Sequence, residues 1–434
     1  MTNQELFFKN NYKDKDQELF FKYNYQNTDR CKKNDELTKK LYNGEIQWEK
    51  DKEREKLLIL LHGSYACNLK CIYCENQHLR SEYVGTTIKE DIVRQVVQKL
   101  GSHIREVTWH GGEPLLLSED LLVALEEEKK KYNLNFVTTL QTNSLLLSKE
   151  KLKFLDNLGI EFGTSFDGLD NNDSRGEAST KSILRCIDEF PGRIGFISVT
   201  HSKTINKLIE NYEYFKSLGV TRVQSAIVRE NVIENDNPYL IDNDIAVEKV
   251  IEYLEYWMHD TNNPIHDSYL ERFIKKTLAK SHTCEDVYCL NGWVIVDPLG
   301  NITLCGHCGV EDKICNIKDI KNYYDFYYHP KYMEKLYRQK KLANKCKESC
   351  KWYYSCYGGC MGLNYEYKKD YSEVSPRNCE YDLKILEKIY DLIKDIDITD
   401  TGKYNRHFLE LLSRNKYYSL TEIKKIESEM ENNG

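Results

Sequence analysis

Three cysteines stand in the run Cys67-Asn68-Leu69-Lys70-Cys71-Ile72-Tyr73-Cys74, separated by three and then two residues. Thiolates at that spacing can hold three irons of a [4Fe–4S] cube. The fourth iron would have no protein ligand. An open iron can bind a small molecule directly, so the spacing points to reactivity as well as structure. A zinc knuckle is the competing use of such cysteines and usually wants a nearby fourth Cys or His; His62 and His78 could serve. The apolar run from Leu57 to Leu61 reads as a buried strand, which puts the cysteines on the loop that leaves it.

Further polar groups follow later strands. The run Trp109-His110-Gly111-Gly112-Glu113-Pro114 pairs two glycines, which let a backbone approach a ligand closely, with a carboxylate that could accept an ammonium group. Gln141-Thr142-Asn143 and Ser165-Phe166-Asp167-Gly168 end the next two candidate strands. Each run alone is an ordinary turn or helix cap. Their succession, each after a strand, favours one shared ligand site.

The elements that must position these groups alternate. Candidate strands fall at 57–62, 105–109, 135–140, 160–166, 194–200 and 222–228, with candidate helices near 88–101, 118–131, 148–158, 178–189 and 205–217. Such alternation predicts a parallel sheet with helices outside. Six units are too few for a closed eight-fold barrel, so the expected fold is α/β, a partial (β/α)6 barrel open on one side, with its chemistry at the C-terminal strand ends. Helices are expected at 245–258 and 269–280, and one or two more after Tyr381. The expected divisions are an N-terminal extension (1–55), the barrel (56–280), a cysteine-rich domain (281–385) and a helical tail (386–434).

The cysteine-rich part holds Cys284, Cys289, Cys305, Cys308, Cys315, Cys346, Cys350, Cys356, Cys360 and Cys379. Three, five and three residues separate the four cysteines from Cys346 to Cys360. A zinc ribbon would use pairs two residues apart. Cys308 could compete as a ligand or attack a substrate; Cys31, Cys186 and Cys315 read as structural thiols.

The chain has 434 residues, 15 cysteines and 62 basic against 69 acidic side chains, a net charge of -7. No long basic block argues for a nucleic-acid partner, and no apolar stretch argues for a membrane span or signal peptide. The expected location is the cytoplasm, and the expected use of the cysteines is metal ligation.

Across roughly residues 57–385 these motifs resemble the radical S-adenosylmethionine (radical SAM) superfamily, in the branch with a C-terminal SPASM domain. The resemblance implies that Cys67, Cys71 and Cys74 hold a cluster whose open iron takes the amine and carboxylate of S-adenosylmethionine, with Tyr73 preceding the third ligand. Gly111, Gly112, Glu113 and Pro114 match the segment that binds the methionine amino group. Asn143, Ser165 and Asp167 would line the cofactor, Ser165 at its carboxylate or ribose, and Arg175 or Arg185 would pair the carboxylate. By the same resemblance Cys284, Cys289, Cys305 and Cys360 would hold one auxiliary [4Fe–4S] cluster. Cys346, Cys350, Cys356 and Cys379 would hold another, making three clusters. Two departures stand out: three residues, not two, between Cys346 and Cys350, and Cys315 where the family often has Gly.

Family chemistry cleaves the cofactor to a 5′-deoxyadenosyl radical that takes a substrate hydrogen. Auxiliary clusters imply loss of a second electron. Most SPASM enzymes act on peptides, so the expected substrate is a ribosomally made precursor peptide that gains a thioether or carbon–carbon crosslink, with a flavodoxin or ferredoxin as reductant. Anaerobic sulfatase maturases share the layout but carry Asp directly after the cysteine that here is Cys305. This chain has Gly306-His307, and His307 could act as a replacement base. A small-molecule alcohol dehydrogenase and a non-enzymatic iron–sulfur electron carrier are further alternatives; the carrier leaves the rim motifs unexplained.

The extension repeats itself: Asn3-Gln4-Glu5-Leu6-Phe7-Phe8-Lys9 returns as Asp16-Gln17-Glu18-Leu19-Phe20-Phe21-Lys22. Two copies are too few for a solenoid. They are read as a segment that docks Phe pairs on the domain, or alternatively as an arm that grips a peptide.

Overall fold

Among the described residues, helix α1 (Lys15–Tyr25) precedes the sheet. The computed structural model describes residues 14–25, 56–228, 237–278, 292–306, 312–368 and 373–432. Cys31, Cys284, Cys289, His307, Cys308 and the first Phe copy lie outside these residues. Among the described residues no helix is long and apolar enough to cross a membrane.

Strands β1 (Leu57–Ser64), β2 (Ile104–Gly111), β3 (Val137–Thr142), β4 (Ile160–Ser165), β5 (Phe196–Thr200) and β6 (Arg222–Ile227) pair in sequence order, all parallel. Helices α2 (Glu90–Leu100), α3 (Glu119–Lys131), α4 (Lys149–Leu158), α5 (Glu177–Glu189) and α6 (Leu208–Ser217) connect them. In α2 the residues Ile92, Val93, Val96, Val97 and Leu100 share one buried face, and Glu90 and Asp91 occupy the first turn, where the helix dipole favours anions. Ser148 caps α4 by accepting the Lys151 N–H, and Gly159 ends it in the left-handed region at φ 70°. Ile59, Leu61, Val107, Trp109 and Leu140 join the core with the α2 and α3 side chains. The alternate strand positions, including His62, Thr108 and His110, therefore face the inside of the sheet's curve.

The sheet extends beyond six strands. After α7 (Asn243–His259), β7 (His266–Asp267) adds in parallel to β6 and leads into α8 (Ser268–Thr277). At the other edge β8 (Trp293–Val296) adds in parallel to β1, followed by β9 (Asn301–Thr303) and β10 (Cys315–Asn316), both antiparallel. The order is β10-β9-β8-β1-β2-β3-β4-β5-β6-β7. The six expected units form the middle of this sheet. The cysteine-rich segment supplies its β8 edge, so pairing runs across the 280/281 boundary drawn from sequence.

The C-terminal part is helical: α9 (Pro330–Ser349), α10 (Met361–Lys368), α11 (Pro376–Ile393), α12 (Arg406–Arg414) and α13 (Leu420–Asn432). Three helices follow residue 375 where one or two were expected. Lys276 on α8 and Asp382 on α11 form a buried ion pair at 2.8 Å, which ties this part to the barrel.

Asp267 joins four elements and is fully buried. Its Oδ1 accepts the N–H groups of Ser225 (3.2 Å) and Tyr269 (2.9 Å); its Oδ2 accepts the hydroxyls of Ser225 (2.6 Å) and Tyr253 (2.9 Å). Asp267→Ala leaves those donors without an acceptor in a buried place, a cost on the order of 3 kcal/mol. The expected outcome is a clear fall in the urea unfolding midpoint; an unchanged midpoint would contradict this role.

Candidate active site

The loop that carries Cys67, Cys71 and Cys74 is held by the ends of the strands beside it. Gly112 N–H donates to Ser64 O and Glu113 N–H to Ala66 O, both at 2.8 Å. Asn76 Nδ2 donates to Gly111 O at 3.0 Å. The close approach the glycine pair was expected to give a ligand is taken by this loop. A Cβ on Gly112 would lie 2.0 Å from Ala66 O, and one on Gly111, at φ 106°, would lie 2.6 Å from Ser64 O. Pro114 then opens a short 3-10 turn, capped by the Glu113 side chain.

Glu113 is buried, and its carboxylate belongs to the rim. Oε1 accepts Leu115 N–H (3.0 Å) and Thr142 Oγ1–H (2.7 Å); Oε2 accepts Asn143 N–H (2.8 Å). Burial pushes its pKa up, against the pull of these three bonds. Asn143 in turn donates through Nδ2 to Asn68 Oδ1 (2.6 Å) and faces Cys67 Sγ (3.7 Å). Arg80 donates to Cys74 Sγ (3.4 Å) and to Leu69 O (2.7 Å). Leu69 N–H points at Cys67 Sγ at 3.4 Å.

On the far side Tyr73 donates to Asp167 Oδ2 at 2.5 Å and accepts from Arg175 Nη1 at 3.0 Å. Asp167 Oδ1 accepts the Val199 N–H at 2.9 Å, which locks this carboxylate to β5. Burial works against the Arg175 charge, but Tyr73, Cys71 and Asp167 more than offset it and hold its pKa up. Burial raises the Cys71 pKa and Arg175 opposes that rise. Of the two arginines named from sequence, Arg175 is the one brought to the cysteines. Arg185 on α5 donates to Leu147 O (2.7 Å) and faces Glu189 (3.8 Å).

Between the loop and the sheet lies a polar inner wall. Gln141 Nε2 donates to Ser165 Oγ at 3.2 Å, and Thr139 meets Thr108 at 2.8 Å and Glu106 at 3.1 Å. His62 and His110 are register partners on β1 and β2 and stack with ring centroids 5.5 Å apart. Burial lowers the pKa of both, so they are neutral near pH 7. A neutral imidazole carries one donor and one acceptor. His62 Nδ1 meets the Tyr65 hydroxyl at 3.1 Å, while His62 Nε2 and His110 Nδ1 are buried with no hydrogen-bond partner among the described residues. The two histidines offered for a zinc site are thus apart in role: His62 lies in this wall and His78 is exposed on the short helix Gln77–Glu82. Sequence reasoning did not select His62, His110 or Glu106 for the wall. The signal was present as polar residues at every second position, Glu106, Thr108 and His110.

Three sulfurs on one loop, two with hydrogen-bond donors turned toward them and the third under the Arg175 charge, fit a thiolate-bound cluster. Residues 62–228 match the Radical SAM superfamily. The chain carries a radical SAM domain. A cysteine-type anaerobic sulfatase-maturating enzyme of Clostridium perfringens (strain ATCC 13124) is 25% identical over 361 residues, covering 74% of this chain and 96% of that one. Native anSMEcpe with bound AdoMet and Cp18Cys peptide superposes with a TM-score of 0.65 at 20% identity, over 77% of this chain and 97% of that one. Streptococcus suis SuiB bound to precursor peptide SuiA gives a TM-score of 0.55 at 19% identity, over 85% and 93%. These structural likenesses show a shared fold.

Beyond the radical SAM domain, Cys346, Cys350, Cys356 and Cys379 are close enough to influence one another electrostatically. Cys346 and Cys350 lie one helical turn apart at the end of α9, Cys356 lies on the next short helix and Cys379 on α11. Burial raises the Cys379 pKa to about 11, with further contributions from Cys350, Asp382 and Cys346. Cβ atoms on Gly358 and Gly359 would lie 3.8 Å from Cys346 Sγ and 4.0 Å from Cys356 Sγ, and both glycines have positive φ. The Lys276–Asp382 pair stands beside Cys356, whose thiol is 3.9 Å from Asp382 Oδ2. In the other expected set, Cys305 is half-buried and Cys360 buried, with Cys284 and Cys289 outside the described residues.

Gly112→Ala tests how the loop is seated. The added methyl must push Ala66 away, so the variant is expected to fold yet lose about four irons per chain on anaerobic reconstitution. Gly195→Ala, whose Cβ would meet nothing within 4 Å, is expected to lose none. Full iron content in Gly112→Ala would contradict the account of the seat.

Proposed function

We propose that this radical SAM enzyme matures a peptide, removing two hydrogens from a ribosomally made precursor and leaving a thioether or carbon–carbon crosslink. The observation that carries this reading is the inner wall. A sheet face that runs from Glu106, Thr108 and Thr139 to His110, Gln141 and Ser165 at the strand ends offers donors and acceptors, and these suit the amides and carbonyls of an extended chain. The anSMEcpe and SuiB structures, which hold peptides, support the same class.

Cys67, Cys71 and Cys74 would bind the cluster. Oε2 of Glu113 accepts one hydrogen bond from the protein and so keeps acceptor capacity for the methionine ammonium. Asn143, Ser165 and Arg175 stand on the same rim for the carboxylate and ribose. When bound, S-adenosylmethionine and the reduced cluster supply a 5′-deoxyadenosyl radical, and the protein contributes placement and exclusion of water. Tyr73, Asp167 and Arg175 hold the loop's far side rigid.

The peptide loses one hydrogen atom to the deoxyadenosyl group, then one electron and one proton. The electron's expected route is the auxiliary field at Cys346, Cys350, Cys356 and Cys379, together with Cys284, Cys289, Cys305 and Cys360. His307, next but one after Cys305, could take the proton as a replacement base. A flavodoxin or ferredoxin would deliver the first electron in the cytoplasm.

Formylglycine formation on a sulfatase is the second reading, favoured by the sequence relationship to the C. perfringens enzyme. The absence of Asp after Cys305 weighs against it. The expected result for the first reading is that a co-encoded precursor peptide accelerates 5′-deoxyadenosine release and loses about 2 Da, as a two-electron oxidation requires. Turnover of a sulfatase-derived peptide at its Cys or Ser, with no crosslink in any neighbouring peptide, would move the assignment to the second reading.

A further inference from the structure

Helix α1 is fixed to the C-terminal helices by a distinct set of side chains. Phe20 and Phe21 are fully buried. Phe20 meets Tyr390 at 5.0 Å and Tyr417 at 6.1 Å, and Phe21 meets Trp352 at 4.8 Å and Tyr390 at 5.4 Å between ring centroids. Gln17 donates to Glu387 (2.7 Å) and accepts from Lys351 (3.2 Å). Asn24, also buried, donates to Tyr418 O (3.0 Å) and accepts the Tyr418 N–H (2.9 Å). The Phe pair supplies the apolar contact; Gln17 and Asn24 fix the register, because a slide of one residue would break both.

The same set occurs thirteen positions earlier. Gln4, Phe7, Phe8, Lys9 and Asn11 stand where Gln17, Phe20, Phe21, Lys22 and Asn24 stand, and Glu5, Leu6 and Tyr12 recur as Glu18, Leu19 and Tyr25. The two differences are Asn3 for Asp16 and Asn10 for Tyr23. Asp16 and Tyr23 make contacts at the edge of the interface, to Lys424 (2.7 Å) and Glu427 (2.7 Å). An amphipathic helix needs only its apolar spacing. Retention of the buried Gln and Asn goes beyond that need and keeps the groups that recognise this cleft.

We propose that the cleft formed by Trp352, Tyr390, Tyr417 and Tyr418 is a docking site with two ligands in one chain: residues 3–12 can take the place of residues 16–25 in the same register. The second copy is the favoured occupant because it alone has Asp16 and Tyr23. Exchange to the first copy adds thirteen residues to the connection that enters β1, the strand leading to the Cys67–Cys74 loop. It also keeps a Phe on Trp352, which lies between Cys350 and Cys356, so that segment stays covered in either state.

The test compares four full-length proteins: wild type, F7A/F8A, F20A/F21A and the quadruple variant. The readouts are the thermal unfolding midpoint and hydrogen exchange at the Tyr418 amide. F7A/F8A is expected to match wild type. F20A/F21A is expected to lose at most about 2 °C and to keep Tyr418 protected, now by Asn11. The quadruple variant is expected to lose about 5 °C or more and at least tenfold in protection, a non-additive loss that marks two groups competing for one place. A loss in F20A/F21A equal to that of the quadruple variant would overturn the proposal. Should the quadruple variant fail to fold, Asn24→Ala against N11A/N24A makes the same comparison at lower cost: protection retained in the first and lost in the second is expected, and loss in both overturns it. Sedimentation of F20A/F21A is expected to match wild type. Rescue that grows with protein concentration would place the first copy on a second chain and overturn exchange within one chain.

Discussion

A Cβ at position 112 would sit 2.0 Å from the Ala66 carbonyl oxygen, so β2 and the loop after β1 can meet only because that position has no side chain. Their meeting lets the Gly112 and Glu113 amides bond the loop's carbonyls. The Glu113 side of the site follows from that contact. It brings Glu113 to the end of β3, where Thr142 and Asn143 complete its shell, and it brings Asn143 to Cys67. A cysteine loop seated only by metal would take its shape from ligation. Here backbone bonds from the strand ends seat the loop as well.

Charge is arranged around the same loop. Burial, and to a lesser degree the neighbouring sulfurs, push the pKa of Cys71 and Cys74 up. Arg80 donates to Cys74, and the Arg175 charge acts on Cys71. Arg175 keeps its charge because Tyr73 and Asp167 compensate its burial, and Asp167 is anchored to β5 by the Val199 amide. A cation tied through the Tyr73 hydroxyl to a carboxylate that a strand holds adds positive potential at the sulfurs without needing a mobile side chain. In the C-terminal part the Lys276–Asp382 pair occupies the comparable position beside Cys356.

Much of this was legible in the sequence, for physical reasons that also set the limits. The six central strands and five helices were visible because each buries a face and so shows a period of two or 3.6. β7, β8, β9 and β10 were not. They run two to four residues, too short to show a period, and they exist because a longer strand offers its edge. The cysteine loop was legible from spacing alone. The grouping of Cys346, Cys350, Cys356 and Cys379 came only from resemblance, since spacing does not say which turns face each other. Glycine's permissiveness at 111 and 112 was foreseen, but not that the approaching backbone would be the protein's own loop. The Phe repeat was visible, yet the burial of its second copy under Trp352 and Tyr390 depends on helices more than 300 positions away. That burial places the second copy against its own domain.

The central claim is that the Cys67–Cys74 loop holds a cluster with one iron left for the cofactor. Electron–nuclear double resonance on the reduced, anaerobic protein tests it most directly, using S-adenosylmethionine labelled with nitrogen-15 at the amine and oxygen-17 at the carboxylate. The expected result is hyperfine coupling from both labels to the cluster, lost when Cys67, Cys71 and Cys74 are all changed to alanine. No coupling from either label in a protein with its full iron content would contradict the account.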